Sequence, residues 1–212
     1  MTSHVDAIAD ATPSVGKLGF DRVVLFSDAV FAIAMTLLVV DLRIPELASE
    51  SEADIVAALW SVRWDVFAYV LSVLVIGSFW LAHWRRYQHI VRVDGRHAAI
   101  NVLFLGAVAF IPFPTSVLGT AGDQRVPVAF YAVCVSLAGL LALLATVDAW
   151  RRDLCAPSVT RDDVRRWLMA GSVVPIVMLA SLPLLPFIGA GLAEATWVAA
   201  ALLGGLFPRR RT

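Results

Sequence analysis

The sequence predicts an all-α integral membrane protein with six transmembrane helices, and three observations carry that reading. The chain of 212 residues is 59% hydrophobic and only 16% charged, with a mean hydropathy of +0.79; an ordinary soluble domain carries about 25% charged residues. Its charges cluster in short segments between long apolar stretches, as in polytopic membrane proteins. Most tryptophans (Trp60, Trp64, Trp84, Trp150, Trp167 and Trp197) fall near the ends of those stretches, where interfacial indoles belong, whereas Trp80 lies one turn inside.

Six stretches are long enough to cross about 30 Å of hydrocarbon at about 1.5 Å per residue. They cover residues 20–42, 64–84, 98–119, 127–149, 167–187 and 189–207. Pro183, Pro186 and Gly189 leave room only for a tight turn between the last two, which predicts a helical hairpin. A helical unit over 20–207 is thus flanked by a segment 1–19 and a basic tail 208–212. Residues 1–19 lack an apolar core followed by a small-residue cleavage site, so no cleaved signal peptide is expected. The acidic linker after the first span has Ser51 three residues before Asp54, the spacing of a capping box on a short helix; a solvated acidic loop fits it equally well.

Orientation follows from the basic residues. Only Arg43, Arg63 and Arg125 fall on the side opposite the amino terminus, and the other 14 of the 17 Lys and Arg residues share its side. The positive-inside rule then puts both termini in the cytoplasm, in agreement with an even number of spans. The formal net charge of zero gives no reason to expect nucleic acid as a partner. Cys134 sits in an apolar run and Cys155 in a basic loop, so neither a disulfide nor a metal site is expected. Nucleotide-binding loops, zinc-protease and nucleophile-elbow motifs are missing from the sequence, which argues against an enzyme. It also has no TVGYG-like carbonyl filter and no arginine at every third position of a span, so neither of those channel devices is expected.

The first span, FDRVVLFSDAVFAIAMTLLVVDL, places Ser27 and Asp28 side by side inside an apolar helix. With Ile33 as zero and about 100° per residue, Arg22, Phe26, Ala29, Ile33, Leu37 and Val40 fall within about 40° of one direction. Thr36 flanks that stripe at about 60°, while Ser27 and Asp28 lie about 120° and 140° away on opposite sides. Partners for the polar pair must come from neighbouring spans. Trp80 and His83 near the end of the second span and Asn101 near the start of the third lie at matching depth, so a network of Ser27, Asp28, Trp80, His83 and Asn101 is expected. Such groups serve either as glue between helices or as a proton-sensing element. Apolar residues at i, i+4 and i+7 are also what ordinary packing produces, so the stripe alone does not establish a pore.

RVVLFSDAVFAIAMTLLVVDLRIPE resembles the Arg-x-x-x-Phe-Ser-Asp signature opening the first helix of the transmembrane protein 175 family of potassium channels. FAYVLSVLVIGSFWLAHW and INVLFLGAVAFIPFPTSVLG resemble that family's second and third helices, so specific similarity covers roughly residues 20–120. The resemblance implies a passive, potassium-selective cation channel, conducting Na⁺ less well, without a cofactor or resident metal. It implies a homotetramer in a prokaryotic plasma membrane, with the first helix of each six-helix subunit lining a central pore. Carried over residue by residue, the apolar constriction is Ile33, Leu37 and Val40, and Thr36 matches a threonine linked to potassium preference. The family's Arg-Ser-Asp network implicates Arg22, Ser27 and Asp28, with Trp80, His83 and Asn101 as partners. This chain has His83-Trp84 where many members have paired histidines. The alternative is a proton-coupled secondary cation transporter using Asp28 and His83, although inverted repeats and broken midplane helices are not evident.

Overall fold

The computed structural model describes residues 15–46 and 51–206. Along the chain these form α1 (Val15–Val40), α2 (Glu52–Ser61), α3 (Arg63–Tyr87), α4 (Gly95–Phe110), α5 (Pro112–Ala121), α6 (Arg125–Arg151), α7 (Arg161–Ser181), a 3₁₀ turn (Leu182–Leu184) and α8 (Leu185–Leu206). The tail 208–212, Arg209 to Arg211 and most of the segment 1–19 lie outside the described residues. Among the described residues, five stretches are long and apolar enough to cross a membrane: Gly19–Val40, Arg63–Tyr87, Gly95–Ala121, Arg125–Arg151 and Arg161–Phe187. The stretch expected at 189–207 falls on α8, is not among those five, and ends beyond the described residues.

Local chemistry accounts for the boundaries. Ser51 caps α2, its hydroxyl accepting from the Asp54 amide at 3.2 Å, so the linker after the first span is helical rather than a plain loop. Asp94 caps α4 by accepting from the His97 amide at 2.8 Å. Thr160 and Asp163 form a reciprocal capping box on α7. The third span, expected as one helix over 98–119, breaks at Ile111–Pro112, because proline has no N–H to give and opens α5 instead. α7 and α8 pack as the expected hairpin. The break after the 3₁₀ turn is at Gly189, whose φ of 74° and ψ of 167° only glycine adopts without strain.

α1 packs against α3, α4 and α5 at one side of the bundle, while α6 and α7 share the most extensive helix pairing. The core joins Phe31, Ala34 and Leu38 of α1 to Leu71 and Val75 of α3, Phe104 of α4 and Tyr131 of α6. α5 approaches α3 closely at Gly119, where a Cβ would lie 3.0 Å from the Asp65 Cα. Trp197, expected near a membrane interface, is instead fully enclosed; it stacks on Tyr131 and donates to the Ser181 hydroxyl at 3.0 Å. Its indole thus fastens the α7–α8 hairpin to α6.

The basic end of the bundle is closed by its connections. Residues Ile90 and Cys155 form an isolated β-bridge, and Arg152 reaches Asp94 at 2.6 Å. Beneath them Asp148 is 5% exposed and takes Arg96 on one oxygen at 3.2 Å and His97 on the other at 3.3 Å. Arg86, expected among the loop cations, is instead buried at 6% exposure and donates through Nη1 to the Ala142 carbonyl and the Thr146 hydroxyl.

Candidate functional site

α1 has two chemically distinct faces. Ser27, Phe31, Ala34 and Leu38 are spaced i, i+4, i+7, i+11, and every one of them is 3% exposed or less. This is the face that meets α3 and α4. Ser27 is its polar member: Asn101 Nδ2 donates to the Ser27 Oγ at 3.0 Å, and that hydroxyl donates to the Val23 carbonyl at 2.7 Å. His83 and Asn101 meet at 3.1 Å between Nε2 and Oδ1, so the imidazole Nε2–H donates to the amide oxygen. The bonds therefore run in one direction, from imidazole to amide to hydroxyl to backbone carbonyl, and each acceptor they use meets a donor.

Aromatic packing holds this chain of bonds in place. Phe31, one turn beyond Ser27, stands edge-on to His83 at 5.6 Å and to Phe104 at 5.9 Å between ring centroids. Tyr87 stacks on the imidazole at 4.2 Å. His83 and Asn101 are each 2% exposed and Ser27 is wholly enclosed. In such surroundings the alternative to these bonds is an unsatisfied polar group, which costs about 1–3 kcal/mol.

Asp28 stands apart from that chain. Its side chain is exposed, and the Trp80 indole donates to its carboxylate at 3.0 Å. The helical wheel explains the separation. The buried face is centred about 130° from Ile33, which leaves Asp28 about 90° further round, at the margin of the packed surface. Trp80 reaches it because that indole is itself at the rim, 37% exposed and stacked on Trp84. The six polar residues therefore divide three ways: His83–Asn101–Ser27, Trp80–Asp28, and Arg22, which is exposed and joins neither group. Phe31 and Tyr87 were missed in the sequence, although the i, i+4 spacing of Ser27 and Phe31 was a usable signal.

The other face of α1 is greasy and open. Ile33 is 58% exposed, Leu37 45% and Val40 58%, with Phe26 at 54% above them on the same stripe. Thr36 is also exposed, and its hydroxyl donates back to the Ile33 carbonyl at 2.9 Å. That bond satisfies the hydroxyl within its own helix. No group of three or more potential metal ligands occurs among the described residues.

Residues 22–112 match the family described as endosomal/lysosomal potassium channel TMEM175. The chain resembles the TMEM175 channels. A potassium channel of Streptomyces collinus is 42% identical over 101 residues, which is 46% of each chain. One of Chamaesiphon minutus is 36% identical over 97 residues, covering 46% of this chain and 48% of the relative. The matched stretch thus spans about half the length of these curated relatives. A human protein named endosomal/lysosomal proton channel TMEM175 is 27% identical over 159 residues, 74% of this chain and 31% of that one. The likeness of fold reaches further: the crystal structure of a lysosomal potassium-selective channel TMEM175 homolog from Chamaesiphon minutus superposes with a TM-score of 0.77 at 26% identity, covering 89% of this chain and 97% of that one. The TMEM175 match covers α1 from Arg22 onward and all of α3 and α4, hence Ile33, Leu37 and Val40 and every member of the polar chain.

Proposed function

We propose that this chain is one subunit of a potassium-conducting channel in which four copies of α1 surround the ion path. Ile33, Leu37 and Val40 form its constriction, and Thr36 adjusts its width or polarity. The observation that carries this reading is the division of α1 into two faces. A polar and aromatic cluster fixes the Ser27 face to α3 and α4, so the Ile33 face is turned away from the subunit's own core. An apolar ring offers ions no ligands; it holds a barrier by excluding water and conducts when it widens. Preference for K⁺ over Na⁺ then follows from the lower cost of stripping water from the larger ion, and is modest.

In this reading α8 completes a sixth span, both termini face the cytoplasm, and the membrane is a prokaryotic plasma membrane. The relatives named potassium channels and the solved potassium-selective homolog support potassium as the ion. A second reading is proton conduction, favoured by the animal relatives named proton channels. Purified protein in a planar bilayer, with K⁺ on one side and Na⁺ on the other, distinguishes the readings. A reversal potential set by the K⁺ gradient supports the first, one that tracks only an imposed pH gradient supports the second, and absence of current contradicts both.

A further inference from the structure

α2 packs against α3, and none of its ten residues is buried. Its four largest apolar side chains, Ile55, Val56, Leu59 and Trp60, are between 41% and 69% exposed. With Ile55 as zero and about 100° per residue, they share an arc of about 140°. Ala57 and Ser61 stand on the opposite side, at about 200° and 240°. Asp54, Ala58 and Val62, spaced i, i+4, i+8, are partly covered and mark the side facing the subunit. The apolar arc therefore points away from the protein. Glu52 falls within the arc by angle, but it occupies the first turn, where a carboxylate complements the open amides of the helix end.

The junction with α3 fixes the height of this helix. One residue, Val62, separates the two, and α3 is the stretch Arg63–Tyr87 that is long and apolar enough to cross a membrane. At Val62 the helical ladder is interrupted: ψ is 11° and the N–H bonds to the Trp60 carbonyl, so α2 and α3 are not one straight rod. At about 1.5 Å per residue, all of α2 lies within about 15 Å of the start of the span. The Arg63 guanidinium lies over the Trp60 ring at 5.4 Å and the Trp64 ring at 5.8 Å, and its Nη1 donates to the Trp60 carbonyl at 2.9 Å. Both indoles are exposed. Indoles beside a guanidinium suit the zone where hydrocarbon meets headgroups, because the rings favour that zone and the cation meets phosphates there.

We infer that α2 is an amphipathic helix lying on the bilayer, with Ile55, Val56, Leu59 and Trp60 sunk into the leaflet at the end of the bundle opposite the basic connections. Lipid is thus what covers the apolar arc. A bilayer surface leaves Glu52 and Arg63, at the two ends of the helix, among headgroups and water. A protein partner closing over the arc would have to desolvate them. The ten residues include Glu52 and Asp54 and no cation, so apolar burial rather than attraction to anionic headgroups holds the helix there. The inference rests on the chain spanning a bilayer, and not on the ion it carries.

Spin labels test this in the full chain reconstituted in phosphatidylcholine vesicles, with Cys134→Ala and Cys155→Ala removing the native thiols. Val56→Cys and Leu59→Cys put the label on the arc, and Ala57→Cys and Ser61→Cys put it opposite, all at exposed positions that the fold tolerates. Labels on the arc should collide with membrane-dissolved oxygen at least about threefold more often than with a water-soluble nickel chelate, as expected about 5–10 Å into the leaflet. The ratio should reverse at Ala57 and Ser61. Preference for the nickel chelate at all four positions would overturn the inference, and so would preference for oxygen at Ala57 and Ser61. Shielding of the arc labels from both reagents, with spectra broadened by pairs of labels, would assign the arc to a second copy and overturn the lipid. Collision rates are read without any ion current, so failure here is separable from failure of the channel reading.

Discussion

The two faces of α1 are built from the same apolar alphabet, yet one is wholly committed and the other uncommitted. On the committed face, Ser27, Phe31, Ala34 and Leu38 are each enclosed by residues of the same subunit. On the other, Ile33, Leu37 and Val40 are about half exposed. What separates the faces is a polar anchor added to apolar packing: Ser27 accepts from Asn101, while Phe31, Ala34 and Leu38 pack into the core. Hydrophobicity suits α1 to a membrane, and the Ser27 bond together with the packing of Phe31, Ala34 and Leu38 leaves its other apolar residues pointing away from the core. In the proposed reading Ser27, Asn101 and His83 act as fasteners, and the greasy residues on the opposite face are the candidates for contact with ions.

The largest effect is expected from the greasy face. Ile33→Asn with Leu37→Asn should raise single-channel conductance severalfold, because amides remove the dewetting barrier, while the folded chain keeps nearly wild-type stability in detergent. Planar-bilayer recording and a thermal melt provide the two readings. A large loss of stability with no change in current would exchange the roles of the faces.

Next comes the anchor. Asn101→Leu strands the His83 Nε2–H and removes the donor to the Ser27 hydroxyl, whose own bond to the Val23 carbonyl remains, and should cost about 1–3 kcal/mol in denaturant unfolding from micelles. Ser27→Ala, which leaves Asn101 with its His83 bond, should cost about half as much. Equal stability of both variants and the wild type would show that the chain of bonds holds nothing. Trp80→Phe removes the bond to exposed Asp28 and leaves a smaller ring against Trp84, and a loss of about 0.5 kcal/mol is expected. A larger loss would place Asp28 in the anchor rather than at its margin.

The smallest effect lies at the basic end. The His97 amide first, and then Arg152, hold the Asp94 carboxyl below the usual aspartate range. A depressed folded-state pKa contributes stability above the unfolded value and loses it as pH falls through the folded one. An acid titration of unfolding should therefore show a slightly shallower acid limb in Asp94→Asn than in the wild type. Identical limbs would mean that the cap adds nothing electrostatic.

Much of this was legible in the residues. The wheel separated Ile33, Leu37 and Val40 from Ser27, and depth matching paired Ser27 with His83 and Asn101 before any coordinates. The wheel could not show that Asp28, next in sequence to Ser27, would sit at the rim. One residue turns the helix by about 100°, and only the positions of α3 and α4 decide which neighbour is enclosed. Pro112 carried a readable break in the third span, but its hydropathy ran unbroken and hid it. Arg86 and Trp197 were misplaced for a related reason. Arginine near the end of a span and tryptophan in an apolar run usually mark interfaces, whereas packing against α6 encloses both. Hydropathy reports depth in the membrane, and burial against neighbours is a separate property.

The central claim is that the Ile33 face, and not the Ser27 face, meets the ion. Its most direct test is the reversal potential of the Ile33→Asn, Leu37→Asn double variant in a planar bilayer with K⁺ opposite Na⁺. The account predicts that current persists and the reversal potential moves toward zero relative to wild type, as selectivity weakens. A wild-type reversal potential in a folded double variant would contradict it.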